Sequence, residues 1–509
     1  MREQQGVVPA LGGQHLHRLW RTLPRQTERT RIPLAQREAV AAGVCHQKTQ
    51  QLQPGHRLTC ARPPGVVDSV GMGNRPNTAR VTTRSWLTLY QLTGNRNRVP
   101  SARTGRYRLL PIFLIAFIVS MLQAVPLRSQ ATLHTDPLNL DPQVQAGLQD
   151  FYNLNYEGAL AHFEPILREH PNDPMADGYV LMAVIFRELY HQDLLDTTYY
   201  ARDNFLTNKR EVDIPPATRQ RIEDLTNRAI SLADAEIKAN PRDKNAYFAR
   251  SYARGMHAAF ITLADHSYAS AARQGYQARN DAEQVLKIDP GYADADMAIG
   301  IQQFAVASLP RFVRLMVGIM GVGGNKEHGL QLLRESAAHG VVTSVESRTA
   351  LSLFLRHDGR YPEALAVQRG LASEYPHDYL FRLEVANLIK DSGHGPEAIA
   401  EYKQVIADAQ KPGYFIDPRL QLALFGEADT QRGQNLIADA AGNYLLAAEQ
   451  PRCSDWLRKR AQLNAGEMFD LMHQRDKAVQ LYRMAAASGG DQSQADAARK
   501  YLKQPYTGK

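Results

Sequence analysis

The chain has 509 residues, a formal net charge of +8 and only 3 cysteines, so a disulfide framework is excluded as the source of its stability. The positive balance sits at the front: residues 1–105 hold sixteen Lys and Arg against four Asp and Glu, whereas residues 132–509 sum to about −7. The charge therefore gives no reason to expect a phosphate-binding groove in the folded part, and no nucleic-acid partner is expected.

Residues 1–105 are rich in Arg, Gln, Gly, Pro and Thr and show neither a 3.6 nor a 2.0 hydrophobic period. They read as a disordered basic region that lies upstream of the native protein. Residues 106–131 differ. Arg106 and Arg108 precede an apolar stretch from Leu109 to Leu122, and Ser129-Gln130-Ala131 places small residues before a cut at Thr132. This is the build of a secretory signal peptide, and the run is short of the ~20 residues that span a bilayer comfortably. The expectation is export to the periplasm or cell envelope; the alternative is an uncleaved signal anchor that keeps the chain on a membrane.

From residue 132 onward the chain reads as helices. After Asp136-Pro137 and Asp141-Pro142, one spacing recurs: a small or aromatic residue, Ala three on, a packing residue seven on and Pro fifteen on. Tyr156, Ala159, Phe163 and Pro171 fit it. So do Thr226, Ala229, Ala233 and Pro241; Gly275, Ala278, Ala282 and Pro290; and Tyr361, Ala364, Gln368 and Pro376. Shorter copies occur at Ala398 with Tyr402, Ala478 with Tyr482, Gly329 with Leu333, and over 436–451. The small residue lets two helices approach, the residue four later packs one turn along the same face, and Pro ends the helix. This is the second half of a tetratricopeptide-type hairpin. The predicted fold class is all-α, an α-solenoid of such repeats over 132–509, with a longer insertion over 179–216.

The stretch 300–340 departs from the pattern. Phe312, Leu315, Met316 and Ile319 fall on one helical face beside Arg311 and Arg314, and glycines follow. The expectations are a helix that plugs a bend in the array, or one that faces a membrane or partner. Gly300, Phe304, Ser308-Leu309-Pro310, the basic-apolar helix and Gly329-Leu330 with Leu333 resemble the tetratricopeptide proteins of the eukaryotic inclusion-body-clearance group. Those proteins are associated with the mitochondrial outer membrane and have exported bacterial relatives. The resemblance is strongest over 290–356; one Pro follows Ser308-Leu309, and Asn325-Lys326 follows Gly324, where the family pattern differs. It implies the solenoid fold. It does not imply the eukaryotic role, because the export signal puts this chain elsewhere.

No reaction is legible. The glycines of 318–326 do not form a phosphate loop, because Asn325 separates Gly324 from Lys326 and Glu327 stands where Ser or Thr would be needed. Asp289, Asp294 and Asp296 are explained by helix termination and capping, and no HExxH occurs, so no metal, cofactor or enzyme activity is expected. What remains is a scaffold whose first helices line a groove for a protein or peptide. Counted back from Ala364, Ala398 and Ala478, the helix offsets that the tetratricopeptide resemblance implies place Glu346, Thr349, Arg356, Asn387, Lys390, Arg460, Glu467 and Asp470 toward it, with Arg356, Asn387 and Lys390 suited to grip a carboxylate. The alternative is an accessory solute- or lipid-binding component of an envelope transport system, which a large apolar cavity around Phe304, Phe312 and Met316 would favour over a shallow polar groove.

Overall fold

Two Asp-Pro pairs start the helical array, as their chemistry dictates. Asp136 accepts from the Leu138 amide and Asp141 from the amides of Gln143 and Val144, while the prolines occupy first-turn positions that need no N–H. The computed structural model describes residues 133–199, 212–309, 311, 314, 323–487 and 492–508, all within one compact unit, Leu114–Lys509. The basic front region, the signal-type stretch and the face of Phe312, Leu315, Met316 and Ile319 lie outside the described residues.

The described residues form 17 α-helices and no strand. They are α1 (Pro142–Phe151), α2 (Tyr156–Glu169), α3 (Pro174–His191), α4 (Pro216–Ala239), α5 (Lys244–Leu263) and α6 (Tyr268–Ile288). Next come α7 (Asp296–Ser308), α8 (Lys326–His339), α9 (Ser344–His357), α10 (Tyr361–Glu374), α11 (Tyr379–Asp391) and α12 (Gly395–Ala409). The last are α13 (Leu420–Gly433), α14 (Ile437–Glu449), α15 (Asp455–Leu471), α16 (Arg475–Ala485) and α17 (Gln492–Lys503). Each packs on its sequence neighbours, giving eight hairpins and a final helix that covers the last one through Ala495 and Ala498. Among the described residues no helix is long and apolar enough to cross a membrane.

The eight copies of the spacing are the eight second helices. Their alanines Ala159, Ala229, Ala364, Ala398 and Ala478 are fully buried, and Pro171, Pro241, Pro290, Pro376 and Pro451 each stand two residues beyond a helix end. Close approach is clearest between α7 and α8. A Cβ on Gly300 would lie 2.9 Å from the Gly329 carbonyl, and one on Gly329 would lie 2.7 Å from the Gly300 carbonyl. The hairpin turns share a second mark. Leu154, His266, Gly359, Gly393, Asn435 and His473 all take positive φ there, the left-handed conformation that lets a chain leave one helix and re-enter the next. Only two of the six are glycine, so the turns were not visible from Gly alone.

The insertion is narrower than 179–216. Residues up to His191 belong to α3, whose Tyr179 and Tyr190 are core residues. Asp193 takes the same positive φ as the other turn residues, but a single 3-10 turn over Thr197–Tyr199 follows it in place of an α-helix, and α4 begins only at Pro216.

Candidate functional site

The extended turn after α3 crosses to hairpins far along the chain. Asp193, 1% exposed, accepts from Arg419 Nε at 2.8 Å, from Gln421 Nε2 at 2.9 Å and from the Ser454 amide at 3.1 Å. Asp196 accepts from Asn387 Nδ2 at 3.3 Å. Thr197 and Thr198 receive Arg356 Nη1 and Nη2 at 2.8 and 3.3 Å. Residues 193–198 thus strap the first helices of successive hairpins, α9, α11 and α13, and reach the start of α15. Beside them the end of α1 docks on α9: Tyr152 Oη donates to Glu346 Oε2 at 2.7 Å, and its ring lies 5.4 Å from that of Tyr375.

Between these contacts lies a cavity of about 1070 Å³, walled largely by α1, α5, α6, α7, α9 and α11. Phe151, Tyr252, Met256, Ile301, Phe354 and Phe381 give it an apolar surface. Two helical glycines enlarge it. Gly255 and Gly275 face it, and a Cβ on either would meet nothing within 4 Å. At Gly275 the small residue of the repeat therefore makes room instead of allowing a close approach. Phe304, which sequence reasoning placed in such a cavity, lies behind the wall, stacked on Phe354 with centroids 4.1 Å apart.

The eight groove residues fall on α9, α11 and α15, but the structure does not bring them to one place. Glu346, Thr349 and Asn387 line the cavity. Arg356 is 2% exposed and does grip carboxylates, those of its own chain: Glu384 at 2.9 Å and Asp391 at 2.8 Å. Burial, which would lower its pKa, is outweighed by these two acids, so the guanidinium is held above its ordinary value. Asn387 donates to Glu384 at 3.1 Å and accepts from Tyr402 Oη at 2.5 Å. Lys390 Nζ lies 3.6 Å from Asp391. On α15, Arg460 lies over the Phe425 ring, Glu467 pairs with Arg432 at 2.8 Å, and Asp470 pairs with Arg475 at 2.9 Å. None of those three reaches the cavity.

Two of the three aspartates set aside at the sequence level, Asp289 and Asp294, are also occupied. Asp289 is held by Lys244 and His134, both at 2.6 Å. Asp294 accepts from the Val342 and Thr343 amides at 2.9 and 3.0 Å, next to the start of α9. Burial raises the Asp294 pKa, partly offset by those donors.

Glu346 is the exception among the wall acids. Its Oε1 has no hydrogen-bond partner, and burial pushes the carboxyl up to about 7 despite the Tyr152 hydrogen bond. Gln302, also in the wall, has neither its amide nitrogen nor its amide oxygen paired. Sequence reasoning missed Gln302, because a glutamine in an apolar helix carries no signal of its own.

No family model matches this chain, and no curated protein does. Solved structures align with it at low similarity. Yeast Tom70 is 12% identical, covering 71% of this chain and 94% of that one, with a TM-score of 0.36. A tetratricopeptide repeat protein from Parabacteroides merdae ATCC 43184 is 12% identical over 64% of this chain and 99% of its own, with a TM-score of 0.29. The human IFIT1 dimer with m7Gppp-AAAA is 12% identical over 71% and 82%, with a TM-score of 0.36.

Proposed function

We propose that this chain is a non-catalytic carrier or receptor of the cell envelope, built on a tetratricopeptide-type solenoid, that holds a small apolar solute or lipid in its cavity. The observation that carries this reading is the apolar cavity of about 1070 Å³, to whose wall the end of α1 and the strap contribute. Ligand sites of this kind are concave, apolar and furnished with a few polar groups. The groove residues suited to a peptide carboxylate are spent on the chain's own acids, which weakens the case for a charged peptide there. A second reading keeps the protein partner. The cavity stands at the upper end of the roughly 300–1,000 Å³ usual for small-molecule sites, so it has room for an apolar peptide segment.

Export belongs to the proposal as well. The basic and apolar pattern of 106–131 supports it, and protein from its native host should begin at or near Thr132 by intact mass. Native mass spectrometry of that protein tests the ligand: a bound apolar small molecule supports the first reading, and a bound peptide the second. Gly255→Leu with Gly275→Leu puts two branched side chains into the cavity at positions where a Cβ meets nothing within 4 Å, and leucine is the better helix former. The double variant should fold and lose the ligand. Retention of ligand by the folded variant would sink the cavity as the site.

A further inference from the structure

The cavity wall is lopsided in charge. It carries Asp196, Asp294, Glu346, Asp378 and Glu384, and among the described lining residues the one basic side chain is Arg273, which is exposed. Four of the five acids are occupied. Asp294 is satisfied as above, Asp378 accepts from the Phe381 amide at 2.7 Å, Glu384 faces Arg356 and Asn387, and Asp196 accepts from the Thr198 amide at 3.0 Å. Glu346 has one side-chain donor, Tyr152, beside its own backbone amide, and no ion pair among the described residues. Arg348, the nearest cation on its helix, is paired with Glu374 at 3.2 Å.

We infer that the cavity selects an apolar ligand with a cationic amine head, and that Glu346 receives that head. The inference rests on the carrier reading above. An ammonium brings three donors and a charge to a carboxylate whose Oε1 is unpaired, and the unpaired oxygen of Gln302 offers a further acceptor on the same wall. An anionic head would instead be buried beside acids without compensation, and a neutral head leaves Glu346 uncompensated.

The groups facing Glu346 fix the sign of the pH dependence. Tyr152 from the end of α1 and Arg348 on α9 favour its ionised form, and Asp294 ahead of α7 opposes it. Tyr252 on α5 and Tyr375 after α10 also feel its charge, and both phenols titrate well above neutrality. With its carboxyl raised to about 7, Glu346 gains charge as pH rises from 5.5 to 8, while an alkylamine is cationic throughout.

Calorimetric titration of the full chain with dodecylamine, dodecanol and dodecanoate, below micellar concentrations, tests this. At pH 8 dodecylamine should bind at least about tenfold tighter than dodecanoate and weaken about tenfold at pH 5.5; Glu346→Gln should erase both differences. Tyr152→Phe removes the hydrogen bond that favours the carboxylate, so the midpoint of amine binding should move to higher pH, a readout that survives if Glu346→Gln folds poorly. Equal or tighter binding of dodecanoate at pH 8, or an unchanged preference in folded Glu346→Gln, overturns amine selection and leaves the carrier reading standing. Binding of none of the three overturns the carrier reading itself.

Discussion

Glu346 and Arg356 stand on the same helix, roughly 15 Å apart along its axis at 1.5 Å per residue, and the protein treats them in opposite ways. Around Arg356 everything is matched: two carboxylates and two threonine hydroxyls surround one guanidinium, drawn from α9, α11 and the strap. Around Glu346 one tyrosine hydroxyl meets one oxygen and the other is left without a partner. A buried charge with a full set of partners fixes geometry. A buried acid with half a set is a cost to the fold, and such costs gather where a ligand is met.

The comparison breaks most visibly at Arg356. Arg356→Met removes the guanidinium that Glu384 and Asp391 share, which should cost about 3–5 kcal/mol in urea unfolding. A loss below ~1 kcal/mol would mean that the matched end is ornamental.

Packing alone supplies the next effect and a scale for the first. Ala398 is fully buried between helices, so Ala398→Trp should cost roughly 1–3 kcal/mol by overpacking. Gln410, exposed at the end of α12, should accept Trp with almost no change. Equal shifts in thermal melts would refute the assigned repeat register.

The smallest effect belongs to Glu346. Its carboxyl is raised from 4.5 to about 7 by burial, so the folded state holds that proton more tightly than the unfolded one. Stability is then shed as pH rises from about 4.5 to about 7 and is fully present below that window. Glu346→Gln should gain on the wild type across the window and level off above it, by roughly 1–2 kcal/mol once partial exposure to the cavity is discounted. Asp378, also raised by burial to about 8, shapes the wild-type profile, so the difference between the two proteins is the quantity to plot. A flat difference would show that Glu346 is no more costly to bury than its neighbours.

The repeats were legible because their signal is local. Ala159, Ala364 and Ala398 with their following aromatic or polar partners declare a close helix contact within one turn of sequence, and the prolines mark the ends. The groove helices were equally legible, and three of the residues placed on them, Glu346, Thr349 and Asn387, line the cavity. Their surroundings were not. Tyr152 meets Glu346 across 194 positions, and Thr197 meets Arg356 across 159; no spacing rule joins residues so far apart. Asp193 looked like an ordinary turn aspartate, and Gly275 like an ordinary close-packing glycine. Only the course of the superhelix turned one into a strap anchor and the other into cavity wall.

The strap also bears on how the chain reaches its native state. A solenoid whose hairpins touch only their neighbours can be assembled, or peeled away, one unit at a time. Here Asp193 must wait for Arg419, 226 positions later, which at 5–20 residues per second is roughly 10–45 s of ribosome time. Closing so long a loop is slow. Until it closes, the second hairpin carries a carboxylate made for partners that do not yet exist. Afterwards, fraying at α13 has to break bonds to α3, so loss of the carboxy-terminal hairpins is felt in the amino-terminal ones. The cost of that wiring is vulnerability to truncation; its return is a cavity whose opposite walls fold or fail together.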